Sequence, residues 1–374
     1  MKNCVIHVGM HKTGTSSLQQ SFYQQLDNDQ WLYPIFDKSE NHNRILGMLF
    51  NEHFLLKQKN NRLKQLNPKN QLEENEIIEN FVGKFTNERQ SLLAIWDSVL
   101  SKCTSENVLI SGEILCSLQF TEIEIAKLRD TIKKYSSSFQ IIGYVRSPKS
   151  YMESAFQQTL KTNNVKLNFN QLCIDYRKVF EKFDKVFSKE NVNLRKFDPA
   201  SFPNSCVVQD FCKQLNIGFP VEAIKKTNES LSHPAVCLLY TYRHYAPLNS
   251  KFFSNQQNHL LVNHLTELSG DKFKFAPSAV MPIIEANKNS IKWLEERIGI
   301  TLDETIKESE TDIHCENDLF QHQYESLQWL AAKLSPSHVK QCRPEMPSET
   351  VAFWMYEWHS QLVAQNKPNK RNNP

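Results

Sequence analysis

The chain has 374 residues and a formal net charge of +3, which is long for one compact domain and short for three. Hydrophobic residues make up 40% and include 23 Phe, 11 Tyr and 6 Trp, enough for a sizeable core, so a disordered chain and a disulfide miniprotein are excluded. No apolar run approaches the ~20 residues that cross a bilayer, and so mild a charge gives no reason to expect nucleic acid, although it leaves room for a local basic cleft that takes a small anion.

The apolar stretch at the start is too short for a secretory signal. The nine cysteines are scattered without a Cys-x-x-Cys pair. They read as reduced thiols of a cytoplasmic protein, and no clustered ligand set calls for zinc or another metal. Residues 3–9 form a short apolar strand, followed by a helical pattern over 15–26. The polar stretch 57–76, rich in Asn, Gln and Lys and holding Pro68, reads as a long loop or a solvated helix. A helix over 77–102 leads to a second strand at 107–111 and a helix near 121–135. The third strand is 139–145. Ser147-Pro148 then looks like an N-cap with Pro at the first helical position, opening a helix that runs to about 161. Another helix covers 169–187, and 192–197 is a fourth strand. Such alternation is the signature of a three-layer α/β fold with a mainly parallel sheet.

From about 203 the pattern is helical, with segments at 204–215, 233–245, 256–269, 280–298, 319–333 and 347–365, before a frayed tail. No internal repeat is visible. A boundary near 220 is one option. The preferred division is a catalytic domain over 1–300 and a helical C-terminal extension over 301–374. The rings of Phe320, Tyr324, Trp329, Trp354 and Trp358 read first as core or a helix–helix seam, with a sugar-stacking face or a homodimer surface on the C-terminal helices as the minority reading.

Two segments carry the chemistry. Gly9-Met10-His11-Lys12-Thr13-Gly14-Thr15-Ser16-Ser17 lies between a strand and a helix, where loop amides and the helix dipole form an anion site. Lys12 adds a charge, and Thr13, Thr15, Ser16 and Ser17 add hydroxyls. Gly9 and Gly14 have the spacing of a nucleotide-binding P-loop, but Thr15 stands where its Lys belongs, and no strand-terminal aspartate is evident for magnesium. The loop suits phosphate, though not in the manner of an ATPase. In the second segment, Tyr144 to Gln158, Arg146 leaves a strand and Ser154 sits two turns into the next helix. An Arg fork and a Ser hydroxyl can grip a phosphate together. Both segments follow strands of the parallel sheet, so one ligand with two separated anionic groups can span its carboxyl edge.

These two segments resemble the cofactor motifs of the sulfotransferases that use 3′-phosphoadenosine 5′-phosphosulfate (PAPS), and the arrangement is most similar to bacterial enzymes that act on carbohydrates. The family's first motif, Lys-Thr/Ser-Gly-Thr-Thr/Ser, stands here as Lys12-Thr13-Gly14-Thr15-Ser16. The resemblance implies that it holds the 5′-phosphosulfate. The family's Arg followed eight residues later by Ser matches Arg146 and Ser154, which implies a grip on the 3′-phosphate. Looser likeness runs to about 245, through Tyr33-Pro34, His42-Asn43, Ser111-Gly112-Glu113 and Asn228-Glu229-Ser230-Leu231-Ser232. It implies a P-loop-type fold and metal-free transfer of a sulfuryl group to a carbohydrate hydroxyl in polysaccharide biosynthesis, with 3′-phosphoadenosine 5′-phosphate (PAP) as product.

Transfer to a hydroxyl needs a base. Glu113, just past the second strand, matches the family's Glu by position, yet it equally fits a first-turn carboxylate favouring a helix dipole. His42 is the rival base, or else a substrate ligand or helix cap. His7 reads as a strand residue, His11 stays open, and the basic cluster from Lys225 to Asn228 reads as a solvated loop. The alternatives in other classes are a kinase-like phosphotransferase and a non-catalytic glycan- or nucleotide-binding module.

Overall fold

The first strand, β1, spans Asn3–Gly9 and leads into helix α1 at Thr15–Phe22. The computed structural model describes residues 3–10, 12–162, 166–225, 230–248, 250, 253–304 and 308–366. Then follow β2 (Trp31–Leu32), α2 (Asn43–Phe50), α3 (Glu52–Leu66), α4 (Gln71–Ser101), β3 (Asn107–Ser111), a 3-10 turn at Glu113–Cys116, α5 (Glu122–Ile132) and β4 (Ser138–Val145). Beyond them lie α6 (Pro148–Lys161), α7 (Phe169–Leu172), α8 (Tyr176–Phe187), β5 (Val192–Lys196) and α9 (Val207–Leu215). The remainder is helical: α10 (His233–Tyr245), α11 (Asn255–Leu265), α12 (Pro277–Ala286), α13 (Lys288–Ile298), α14 (Tyr324–Leu334), α15 (Pro336–Gln341) and α16 (Ser348–Gln365).

Among the described residues the strands form one sheet in the order β2-β3-β1-β4-β5, and every pairing is parallel. The expected α/β class holds, and the sheet is wholly rather than mainly parallel. Six of the seven residues of β1 are buried, as a central strand covered on both faces requires.

Side-chain caps set several helix starts. Thr121 and Glu124 form a capping box on α5, Asp175 caps α8, and Ser232 caps α10. The polar stretch expected as loop or helix is helical up to Leu66. It breaks at Asn67, whose left-handed φ of 45° precedes Pro68, and resumes when Asn70 caps α4. The helix expected over 280–298 is two. Asn287 turns its backbone N–H onto the Ile283 and Ile284 carbonyls and its side-chain amide onto Ile283, which closes α12 before α13 opens.

The chain divides into two compact units, each assembled from three stretches: Met1–Ser147, Asp175–Thr227 and Asn289–Leu302 in the first, and Pro148–Ile174, Asn228–Lys288 and Asp303–Pro374 in the second. Residues beyond 302 therefore belong with two earlier stretches, instead of forming an extension appended to a continuous domain. In the first unit, Val5, Leu109, Ile142 and Tyr144 of the sheet pack with Leu18 and Phe22 of α1 and Phe211 of α9. Arg297 of α13 closes this unit. Its guanidinium donates to both carboxylate oxygens of Asp184 at 2.8 Å and to the Lys189 and Val192 carbonyls.

In the second unit, α10 is the central element, with every residue from His233 to Tyr242 buried. A helix apolar on all sides has to be enclosed, and α14 and α16 help to enclose it. The Tyr242 hydroxyl bonds His359 Nδ1 at 2.9 Å, and Trp329 meets Trp358 edge-on at 5.2 Å. Trp354 and Trp358 lie within this core, while Phe320, Tyr324 and Trp329 pack against it. The first reading of these rings, as core or a helix–helix seam, is the one the packing bears out. All nine cysteines are free thiols.

Candidate functional site

The carboxyl end of β1 opens into a tight loop whose shape demands its glycines. A Cβ on Gly9 would fall 2.0 Å from Thr15 Oγ1, and one on Gly14 would fall 2.3 Å from a Val207 methyl. Gly14 also has φ 78°, and Lys12, at φ 63°, adopts the left-handed conformation that costs a side-chain-bearing residue about 1–2 kcal/mol. The hydroxyl of the wholly buried Thr13 donates to the Met10 carbonyl at 2.8 Å. Thr13 therefore shapes the loop, and its hydroxyl proton is engaged there, contrary to the expectation of a donor aimed at ligand. Gly14 caps α1 without any side chain, so the first-turn amides of Thr15 and Ser16 receive no acceptor from the cap. Thr15 Oγ1 is buried with no hydrogen-bond partner among the described residues. Ser16 is half-buried at the same end of the helix. These are the features of an anion cradle.

Arg146 follows β4 directly. Its Nε donates to the Lys12 carbonyl at 2.8 Å, its guanidinium lies 4.9 Å over the Phe197 ring, and its own carbonyl accepts the Tyr176 hydroxyl at 2.7 Å. The sequence places these residues far apart, and the sheet brings them together because β1 and β4 are neighbours. The chain leaves β1 toward β2 on one side and β4 toward β5 on the other. The carboxyl ends of β1 and β4 therefore mark a topological switch point, the place where open α/β sheets bind ligands.

Ser154 belongs to the second unit. It is 7% exposed, and its Oγ has no hydrogen-bond partner among the described residues. One residue before it, Glu153 pairs with Lys149 and accepts the Phe275 N–H at 3.0 Å. Burial raises the Glu153 carboxyl from its ordinary value, while Lys149 works against that rise.

The third strand end is held from several directions. Ser111 Oγ bonds His7 Nδ1 at 2.9 Å and accepts from the Gln19 amide at 3.1 Å. The Ser111 N–H donates to His42 Nδ1 at 3.0 Å, so the His42 proton resides on Nε2 and is donated to the Pro34 carbonyl at 2.8 Å. The next residue, Asn43, accepts the Ile114 N–H at 3.1 Å. His42 stacks on Tyr33 at 4.5 Å and is 2% exposed. Burial lowers its pKa to about 4, against opposing contributions from the Pro34 bond and Asp37. With both nitrogens engaged and the ring neutral, His42 clamps the strand end, and taking a substrate proton would require breaking that clamp. Burial likewise lowers the His7 pKa to about 3, in keeping with a strand residue.

Glu113 opens the 3-10 turn immediately after this clamp and is half-buried. Gly112 before it has room for a side chain only if Leu46 shifts, because a Cβ would lie 2.5 Å from a Leu46 methyl. Gln19 escaped the sequence reading, and Ser111 and Asn43 entered it only as members of two loosely matched segments, since the partners of all three lie far along the chain. The backbone N–H of Lys225 donates to Ser21 Oγ at 2.9 Å. His11 and the stretch from Lys226 to Glu229 lie outside the described residues. Among the described residues, no three His, Cys, Asp or Glu side chains gather as a metal site, and no helix is long and apolar enough to cross a membrane.

The chain matches no family model. An uncharacterized protein of Archaeoglobus fulgidus is 28% identical over 165 residues, which is 43% of this chain. The chain thus spans 44% of the length of that curated relative. No solved structure matches.

Proposed function

We propose that the chain is a sulfotransferase that moves a sulfuryl group from PAPS to a carbohydrate hydroxyl, without a metal, in the cytoplasm. The observation that carries this reading is the hydrogen bond from Arg146 Nε to the Lys12 carbonyl, which joins two motif-bearing loops at the switch point of the sheet. A P-loop-type description of the three-layer fold belongs to the same proposal. It rests on the all-parallel sheet and on a glycine-shaped loop between β1 and α1. The donor set fits a phosphate: the uncapped α1 amides, the orphaned Thr15 hydroxyl, Ser16 and the Lys12 ammonium are what an anion of that size needs.

In this reading PAPS supplies an activated sulfuryl group on a good leaving phosphate. Gly14, Thr15 and Ser16 hold the 5′-phosphate through backbone and hydroxyl donors, with Thr13 maintaining the loop. Lys12 stabilises the charge that develops on the bridging oxygen. Arg146 takes the 3′-phosphate, as the motif likeness implies. Glu113 accepts the proton of the acceptor hydroxyl as its oxygen bonds to sulfur and the bond from sulfur to the bridging oxygen breaks, leaving PAP and the sulfate ester. His42 keeps the Glu113 turn in place.

Calorimetry with PAP, with and without a chelator, tests the reading. Binding unaffected by the chelator and tighter than that of ATP is expected. Strict dependence on magnesium, or a preference for ATP, would assign the loop to a phosphotransferase. Bisphosphate binding without transfer to any acceptor would leave a binding module.

A further inference from the structure

Beside the 3-10 turn that opens at Glu113, α3 and residues 114–119 enclose a groove of about 600 Å³. One wall is a single face of α3. His53, Lys57, Asn60, Asn61 and Lys64 all line it, and their spacings of three, four and seven put them on one side of a helix. Ile114, Ser117 and Gln119 form the opposite wall. No Asp or Glu stands among the lining residues. The helix carries Lys57, Lys59, Arg62 and Lys64 against one carboxylate, Glu52, so a helix that buries none of its residues concentrates positive charge in a nearly neutral protein. Among the described residues, the side chains of Lys57, Asn60, Asn61 and Lys64 make no hydrogen bond or ion pair.

We infer that this groove binds an anionic oligosaccharide, bearing uronate or sulfate groups, and leads it to Glu113. The inference rests on the carbohydrate-acceptor reading above and adds the charge class and the binding wall. Side-chain amides both donate and accept, which suits sugar hydroxyls. Lys57 and Lys64 stand about 10 Å apart along the axis, so the two ammoniums can meet acidic groups separated by an intervening sugar unit. Phe54, also in the lining, offers a single ring face for stacking. A nucleic-acid channel would present a succession of aromatic platforms along its basic wall, and this groove has one. The groove reaches Ile114, the residue that follows Glu113, so a chain lying in it comes within one residue of the proposed base.

The test compares binding of hexagalacturonate, maltohexaose and a thymidine hexanucleotide to the full chain and to a Lys57→Ala/Lys64→Ala variant, with PAP titrated in parallel. The acidic hexasaccharide is expected to bind at least tenfold more tightly than the neutral one and to weaken with salt. It should lose about tenfold affinity in the variant. The far-UV circular dichroism spectrum and the PAP affinity should be unchanged, because both substituted residues are exposed. Equal affinity for acidic and neutral sugars, full affinity in the variant, or no sugar binding overturns the proposal. Tighter binding of the hexanucleotide also overturns it and assigns the face to nucleic acid. Loss of PAP binding with sugar binding intact would instead overturn the donor reading alone.

Discussion

His42 and Ser111 bond each other twice: the His42 N–H donates to the Ser111 carbonyl at 3.2 Å, and the Ser111 N–H donates to His42 Nδ1 at 3.0 Å. A histidine used in this way acts as a backbone surrogate, pairing with a strand end that has run out of neighbours. His42→Ala should orphan the Ser111 N–H and the Pro34 carbonyl and destabilise the chain by about 2–4 kcal/mol. His42→Asn, which keeps an acceptor near the Nδ1 position, should recover part of that loss. Thermal melts of the two variants separate the outcomes, and equal melting of both would refute the clamp.

The same ring predicts a pH dependence. Its folded pKa, about 4, lies below the ordinary 6.5, so between those values the unfolded chain binds a proton that the folded chain refuses. The contribution to stability is complete above pH 6.5 and is lost as pH falls toward 4, on the order of 3 kcal/mol for this group. Burial gives His7 the same sign over a window reaching about pH 3. Denaturant midpoints from pH 7 to 4 should fall steeply for the native chain and less steeply for His42→Asn. A pH-independent midpoint would contradict the neutral buried state.

Gly14→Ala puts a side chain at φ 78° and 2.3 Å from Val207. A loss of about 2–4 kcal/mol is expected, part from the left-handed backbone and part from the clash. Adding Val207→Ala should relieve the clash alone. Chemical denaturation of the single and double variants distinguishes these contributions, and full recovery in the double variant would mean that the backbone conformation carries no cost.

Arg146→Ala should weaken PAP binding by roughly 1.5–3 kcal/mol through lost charged hydrogen bonds. Arg146→Lys should not restore it, because a lysine cannot both donate from an Nε position to the Lys12 carbonyl and present a fork. Calorimetry on both variants is the check. Unchanged affinity in Arg146→Ala would remove Arg146 from the site, and unchanged affinity in Arg146→Lys would show that a charge suffices without the fork.

Glu113→Gln should reduce transfer of label from donor to acceptor by ~10²–10⁴ while PAP affinity barely moves. Normal turnover in this variant, set against a dead His42→Asn, would return the base role to His42 despite its engaged nitrogens.

Much of the sheet was legible because its strands are short apolar runs flanked by helical periodicity. Asn3–Gly9, Asn107–Ser111, Ser138–Val145 and Val192–Lys196 fall within a residue of their expected limits. Trp31–Leu32 is too short to show a period, and α2 escaped because the apolar stretch in Asn43–Phe50 has less than three turns. The Lys12 and Arg146 loops were readable from local sequence. The support beneath Glu113 was not, since Ser111 takes its partners from positions 69, 92 and 104 residues away. The bond of the Thr13 hydroxyl is hidden from the sequence for a related reason: its acceptor is a backbone carbonyl, which no sequence pattern displays.

Interleaving of the two units also sets an order of events during synthesis. The sheet is complete once Lys196 has left the ribosome, yet Arg297, which fastens Asp184 and the approach to β5, emerges about a hundred residues later. Meanwhile α6 has been made but must wait for α10, and α10 for His359 of α16, before its apolar sides are covered. A nascent chain of this protein thus carries exposed helices through much of its own translation, and late truncation should release a product that aggregates rather than a folded amino-terminal fragment.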